Sequence, residues 1–375
     1  MDMIYIEDCC EILDSMRIPI TESERKKGEY PYYGANGIQD YISDYIFDDE
    51  LVLLAEDGGN FGSKEKPIAY RVSGKCWVNN HAHVLKPKVG LNVDYLCYSL
   101  MFYRIDGLVN GATRQKLTQA SMRKMRIPFR CVEEQIRIVE ELNYIVDIKK
   151  KRQQELQLLD DLMQARFVEM FGDPVTNSLG LKAKSMTEVC EIIDGDRGKN
   201  YPTAEEFSDK GYCLFLNAKN VTASGFNFDD CMFVTKEKDD LLRKGKLSRG
   251  DVVLTTRGTL GNLAFYTEDV PYEHIRINSG MVILRMKRDI IDEVYFMEQF
   301  KMQLADVKEK IASGSAQPQL PISTMNKINI LIPDFERQEK FADFVKQIDK
   351  SKVAIQQALE QEQLLFDSLM QKYFG

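Results

Sequence analysis

The chain repeats itself, and the length of the repeat restricts what it can fold into. Gly111-Ala-Thr-Arg-Gln-Lys-Leu117 returns as Gly314-Ser-Ala-Gln-Pro-Gln-Leu320. Met122, Lys124 and Gln135 return as Met325, Lys327 and Gln338, at the same offset of 203 residues. Earlier in each copy, Cys10-Glu-Ile-Leu-Asp14 matches Cys190-Glu-Ile-Ile-Asp194. Later, Leu162-Met-Gln-Ala-Arg-Phe167 matches Leu369-Met-Gln-Lys-Tyr-Phe374. Several matches in one order point to two copies of one plan. A period this long means a duplicated domain, not a solenoid of short repeats.

Each copy has two parts. Residues 1–130 and 176–333 are mixed, with short apolar runs set between Gly-rich turns. Tyr45-Ile-Phe47, Leu51-Val-Leu-Leu54 and Asp251-Val-Val-Leu-Thr255 predict strands, and Val93–Tyr103 and Asp292–Ile311 predict helices. Asp48-Asp49 and Asp239-Asp240 read as turns. The class is α+β, with a curved, mostly antiparallel sheet and short helices in each copy.

Residues 131–175 and 334–375 read as long helices. Val132–Phe167 holds neither Pro nor Gly, and Ile138, Leu142, Ile145, Leu156, Leu159 and Met163 follow a three-to-four spacing. Phe341, Val345, Ile348, Ile355, Leu359, Phe366 and Leu369 do the same in the second copy. Helices of about 35 residues are ~50 Å long. A helix with one apolar stripe must bury it, and the equivalent stripe on the other helix is the nearest match. An antiparallel coiled coil is therefore expected, within an internal pseudo-two-fold repeat.

Composition excludes several classes. With 44% apolar and 29% charged residues, 23 Gly and 11 Pro, the chain is neither collagen-like nor largely disordered. The net charge of −8 excludes a uniformly basic coat for nucleic acid. That charge sits mainly in the helices: residues 1–130 and 176–333 each carry a net charge of −1. Acidic helices suit protein partners. Arg104–Arg130 holds seven basic residues against Asp106, and Lys236–Arg257 holds seven against four acidic ones, runs able to meet phosphates. No stretch has the length and apolarity of a membrane span, and no export signal is visible. Eight scattered cysteines without a C-x-x-C pair read as free thiols in a reducing compartment, the cytoplasm.

Catalytic motifs are missing. Gly195-Asp-Arg-Gly-Lys-Asn200 has its glycines too close together for a phosphate loop, and Asn stands where Ser or Thr would hold Mg²⁺. His81 and His83 alternate on an expected strand without a third ligand pattern, so no metal site is expected. What recurs is polar, basic and aromatic residues on turns. Tyr32, Tyr33, Asn36, Asn60, Asn80 and His81 lie in the first copy, with Thr113, Arg114 and Lys116 further on. Arg197, Lys199, Asn217, Lys219, Arg257, Thr259 and Asn262 lie in the second, followed by Arg276, Asn278, Gln317 and Gln319. Arg, Asn, Gln and His suit hydrogen bonding to base edges.

The specific pieces are Tyr30-Pro-Tyr-Tyr-Gly-Ala-Asn-Gly37, Leu53-Leu-Ala-Glu-Asp-Gly-Gly59 and Asn110-Gly-Ala-Thr-Arg-Gln-Lys-Leu117, then Asp194-Gly-Asp-Arg-Gly-Lys-Asn200 and Ser313-Gly-Ser-Ala-Gln-Pro-Gln-Leu320. In this order, each set followed by a long helix, the sequence resembles the specificity (S) subunit of a type I restriction–modification system. The resemblance spans nearly the whole chain. It implies a non-catalytic subunit with two target-recognition domains reading the halves of a split site in double-stranded DNA. It implies a helical spacer that docks two methyltransferase (M) subunits, joined by motor-nuclease (R) subunits. S-adenosylmethionine, ATP and Mg²⁺ would act in those partners, and the chain would hold no cofactor of its own. A coiled-coil interaction scaffold that does not bind DNA is the alternative, and an enzyme with degenerate motifs is a third reading.

Overall fold

The computed structural model describes residues 2–63, 65–110, 115–312 and 319–375, with side chains omitted at 310–312. The chain forms two compact units. One comprises Met1–Gln154 with Gln356–Gly375, the other Glu155–Ile355. Each unit therefore holds one mixed domain and a half of each long helix.

In the first unit six strands form one sheet. They are β1 (Cys10–Ile12), β2 (Lys27–Gly34), β3 (Gly37–Ile42), β4 (Phe47–Ala55), β5 (Ala69–Val78) and β6 (Ala82–Pro87), in the order β1-β6-β4-β5-β2-β3. All neighbours are antiparallel except β2 and β5, where Tyr32 pairs with Trp77. The central strand β4 shows why this sequence makes a sheet. Val52 and Leu54 enter one apolar cluster, and Leu51 and Leu53 enter another on the opposite face. That is the period of two that a strand imposes. Helix α1 (Val93–Met101) covers the first of these faces, with Tyr95, Leu96 and Leu100 buried against it. The Asn92 side chain caps α1 by accepting from the Asp94 and Tyr95 amides. Beyond it lies a short ribbon, β7 (Val109–Asn110) with β8 (Lys116–Leu117).

Helix α2 (Val132–Phe171) then runs for 40 residues. In this unit its Ile138, Leu142 and Ile145 join the domain core, together with Phe366, Leu369 and Tyr373 of helix α4 (Phe335–Phe374). Arg152 donates to Glu362 at 2.6 Å and the Tyr373 hydroxyl donates to Glu141 at 2.6 Å. Pairing 152 with 362 and 141 with 373 makes these two segments antiparallel. The stripe thus serves two surfaces at once, the other helix and the helix's own domain.

The second unit repeats the frame. Strands β9 (Cys190–Asp194), β12 (Val252–Thr255), β13 (Leu263–Phe265) and β15 (Met281–Met286) form an antiparallel sheet ordered β9-β15-β12-β13. Its register matches the first unit: Cys10 pairs with Pro87 and Cys190 with Met286, while Val52 pairs with Leu85 and Val252 with Leu284. A separate three-stranded sheet holds β10 (Cys213–Leu216), β11 (Phe233–Val234) and β14 (Ile275–Ile277), with β10 and β14 parallel. Helix α3 (Glu293–Ala312) replaces α1. Phe167, Phe171, Tyr295 and Phe341 meet at centroid distances of 4.8–6.4 Å and join α2, α3 and α4 within this unit. Lys352 bonds Asp160, and Arg337 bonds the Met170 carbonyl, so the segments are antiparallel here too. Met163, Val345 and Ile348 are buried in this core. Of the remaining stripe residues, Ile355 and Leu359 are buried and Leu156 and Leu159 half-buried.

The two acidic pairs are not turns. Asp48 and Asp49 lie inside β4, whose pairing with β5 begins at Phe47. Asp239 lies in the short helix Lys236–Leu241 and is fully buried. The helix expected to reach Tyr103 stops at Met101, and Tyr45 and Ile46 precede the strand.

Candidate nucleic-acid interface

The turn residues of the first unit converge at one end of its sheet. Four segments meet there: the β2–β3 turn, the segment after β4, the β5–β6 turn and β8. Asn36 donates to the Gly58 carbonyl at 3.0 Å. His81 Nδ1 lies 2.6 Å from Asp57 Oδ1, and the His81 amide donates to Asn79 Oδ1 at 2.8 Å. The Leu117 amide donates to the Glu56 carbonyl at 2.7 Å, and Lys116 Nζ lies 3.0 Å from Glu56 Oε1. Gly58 has φ +60° and its counterpart Gly258 φ +72°, a left-handed conformation that suits glycine at both turns. Asn36, Asn80 and Lys116 are exposed on this rim, and Asn60, His81 and Tyr33 are half-buried. Tyr33 lies against Tyr70 at 5.8 Å.

Beneath the rim is a polar cluster that sequence reading missed. His83 is fully buried, with Nδ1 2.6 Å from Asp14 Oδ2 and Nε2 2.8 Å from the Leu117 carbonyl. Arg17 donates to Glu56 at 2.6 Å and lies 3.4 Å from Asp14. Burial opposes charge on Asp14, but the hydrogen bond and positive charge of His83, the Val84 amide and Gln119 hold its pKa below the usual carboxylate value. Burial opposes charge on Glu56 as well, and Arg17 and Lys116 outweigh it. Among the described residues, Asp14, Glu56 and His83 form a group spaced to hold a metal ion. Its oxygens already face Arg17, Lys116, Gln119 and the Val84 amide, which makes it an ion-pair network.

The equivalent rim of the second unit carries different chemistry on the same frame. The Leu320 amide donates to the Thr256 carbonyl, as Leu117 does to Glu56, and Arg257 bridges Gln319 as Asp57 bridges Lys116. Arg197 reaches Asp194 and the Ser279 carbonyl, each at 3.1 Å. Asn278 accepts from the Gly280 amide at 2.8 Å, and Asn262 donates to the Val221 carbonyl at 3.0 Å. Arg197, Arg257, Thr259 and Gln319 are exposed. Lys199 is exposed elsewhere on the segment after β9. Asn217 and Lys219 lie on the turn between β10 and a hairpin of Val221–Thr222 with Gly225–Phe226, and Lys219 pairs with Asp230 at 2.8 Å.

Two candidates face inward. Tyr32 is 1% exposed, its hydroxyl on the Ile20 backbone and its ring beneath Arg25 at 4.4 Å, so it is a core residue. Arg276 is 5% exposed and is spent on Asp239 and on the Lys244, Asp239 and Leu242 carbonyls. Neither reaches a base. The basic run 236–257 is partly spent on internal pairs: Lys238 pairs with Glu206, Lys246 with Asp239, and Arg249 bonds three carbonyls, while Lys236, Arg243, Lys244 and Arg257 are exposed. Thr113, Arg114 and Gln317 lie outside the described residues.

The joint between the long helices and their domains is built alike in both units. Gln135 is fully buried, accepts from the Asn92 amide at 2.7 Å and donates to the Gly90 and Arg130 carbonyls at 3.0 and 2.9 Å. Gln338 does the same for Asp292, Ile290 and Pro333. The Tyr95 hydroxyl donates to the Pro128 carbonyl at 3.0 Å, and the Tyr295 hydroxyl to the Leu331 carbonyl at 3.1 Å.

Known proteins resemble this chain in sequence and fold. The family model for the type I restriction modification DNA specificity domain matches residues 1–158 and again 180–364. A putative type I restriction enzyme specificity subunit of Haemophilus influenzae is 26% identical over 378 residues, covering 96% of this chain and 92% of its own. The MjaIX specificity subunit of Methanocaldococcus jannaschii is 21% identical over 328 residues, covering 82% of this chain and 74% of its own. Among solved structures, the S subunit of the type I restriction–modification system of M. genitalium superposes with TM-score 0.58 at 16% identity, covering 100% of this chain and 96% of that one. With the matched family model spanning most of the sequence in two copies, the chain belongs to the specificity subunits of type I restriction–modification systems.

Proposed function

We propose that this chain reads an asymmetric, bipartite site in double-stranded DNA and directs adenine methylation and restriction by partner subunits, contributing no catalytic group itself. One observation carries the reading: a shared frame presents different side chains at equivalent rims. Asn36, Asn80, His81 and Lys116 stand on one, and Arg197, Arg257, Thr259 and Gln319 on the other. Different donors and acceptors select different bases, so each unit would specify its own block. Two M subunits would supply the methyltransferase chemistry with S-adenosylmethionine. R subunits would supply cleavage with ATP and Mg²⁺, in the cytoplasm.

The test is to express the chain with its M subunit and map methylated adenines across the host genome. A two-block motif with a fixed gap is expected. Exchanging residues 180–333 for those of another S subunit should replace one block only. A change in both blocks, or in neither, would refute the modular reading. Magnesium-dependent cleavage by the isolated chain would refute the non-catalytic one.

A further inference from the structure

His83 occupies a position whose counterpart needs no such residue. In the matched register Leu54 pairs with His83 and Leu254 with Val282. Thr256 likewise stands where the first unit has Glu56, each backbone carbonyl accepting from the leucine that follows it in the ribbon. The Asp–Arg pair is common to both units, as Asp14–Arg17 and Asp194–Arg197. The buried imidazole and its second carboxylate belong to the first unit alone.

The geometry fixes where the protons are. A carbonyl oxygen only accepts, so Nε2, 2.8 Å from Leu117 O, carries a hydrogen. Nδ1 faces Asp14 Oδ2 at 2.6 Å. That carboxylate also accepts from the Val84 amide at 2.9 Å and from Gln119 Nε2 at 2.9 Å, the surroundings of an ionised group. The ring thus spans Asp14 on one side and the Leu117 carbonyl on the other. Glu56 at 3.6 Å adds negative charge beside it, with Arg17 and Lys116 balancing the pair.

We propose that His83 is a positioning residue for the first DNA-reading rim: braced on Asp14 through Nδ1, it clamps the Leu117 carbonyl through its Nε2–H and thereby fixes β8, which carries Lys116. The inference rests on the reading of this rim as a DNA surface. Without the ring, β8 would keep the Leu117 amide on the Glu56 carbonyl but lose the hold on the Leu117 carbonyl. Recognition by the first unit then weakens, whereas the second unit, with Val282 at the equivalent position, is unaffected.

The experiment uses the chain assembled with its M subunits. The probes are duplexes carrying the mapped site, intact or with either block scrambled. Discrimination at each block is compared between the wild type and His83→Ala. We expect discrimination at the first unit's block to fall about tenfold in the variant, the worth of roughly one buried hydrogen bond, with the other block unchanged. The double variant His83→Val/Glu56→Thr copies the second unit and should recover discrimination. Full discrimination in His83→Ala, an equal fall at both blocks, or a double variant no better than His83→Ala would overturn the proposal. Histidine-¹⁵N spectra of the same chain test the clamp independently of DNA: Nε2 of His83 should report as protonated, and an Nε2 without a proton would overturn the clamp. If no two-block motif appears, the DNA reading fails, and the spectra still judge the clamp.

Discussion

Replacing Gln135 by Ala should destabilise the first unit by about 3 kcal/mol. The buried amide satisfies three backbone groups, the Asn92 N–H and the Gly90 and Arg130 carbonyls, at 2.7–3.0 Å. Each neutral hydrogen bond is worth about 1 kcal/mol net, and stranding its buried partner costs at least that. Gln135→Met keeps the volume and loses only the polar ends, so it should cost nearly as much. Gln135→Glu should be worse, because a carboxylate would face two carbonyl oxygens. Trp77, the single tryptophan, lies in this unit, so its emission during urea unfolding reports the change. A loss below about 1 kcal/mol for both Ala and Met would refute the idea that this glutamine staples the helix to its domain.

Other substitutions separate the roles assigned above. Phe341→Ala, at the centre of the four-ring cluster, should cost about 3–5 kcal/mol, measured by hydrogen exchange across Glu155–Ile355. Arg276→Ala leaves the buried Asp239 with Lys246 alone and three carbonyls without their donor, and should cost about 2–3 kcal/mol, whereas exposed Arg257→Ala should leave melting within about 0.5 kcal/mol and change DNA binding alone. Asp14 and Glu56 have folded pKa values below their unfolded ones, so the stability they give is complete above about pH 4–5 and drains as pH falls through the lowered values. Acid titration followed by Trp77 emission should show this, and Asp14→Asn should shift the transition.

The long helices were legible because a helix this long advertises itself twice, by the absence of Pro and Gly and by its apolar stripe. The duplication was legible for the same reason that Gln135 and Gln338 match: each does a backbone job that leaves little choice of residue. Tyr32 and Arg276 misled because a strand alternates its faces, and nothing local says which face is buried. Arg276 sits in Ile275–Ile277, a strand with no exposed position, and its carboxylate partner lies 37 residues away. The His83 cluster was hidden likewise: Asp14 and His83 are 69 residues apart and meet only once the sheet has formed. Asp48-Asp49 looked like a turn because acidic pairs favour turns, yet Asp49 is held in β4 by Lys86 across the sheet.

The division of the helices has a consequence for the order in which the molecule can form. Glu155–Ile355 is one continuous stretch of chain and can close as soon as it has been made. The first unit cannot. Its core includes Phe366, Leu369 and Tyr373, and its contact between Glu141 and Tyr373 spans 232 residues. At a synthesis rate of about 5–20 residues per second, the 201 residues of Glu155–Ile355 take roughly 10–40 s to appear. Throughout that interval the part of this core that Phe366, Leu369 and Tyr373 will cover stays open. The domain synthesised first is thus the one completed second, when residues 356–375 arrive.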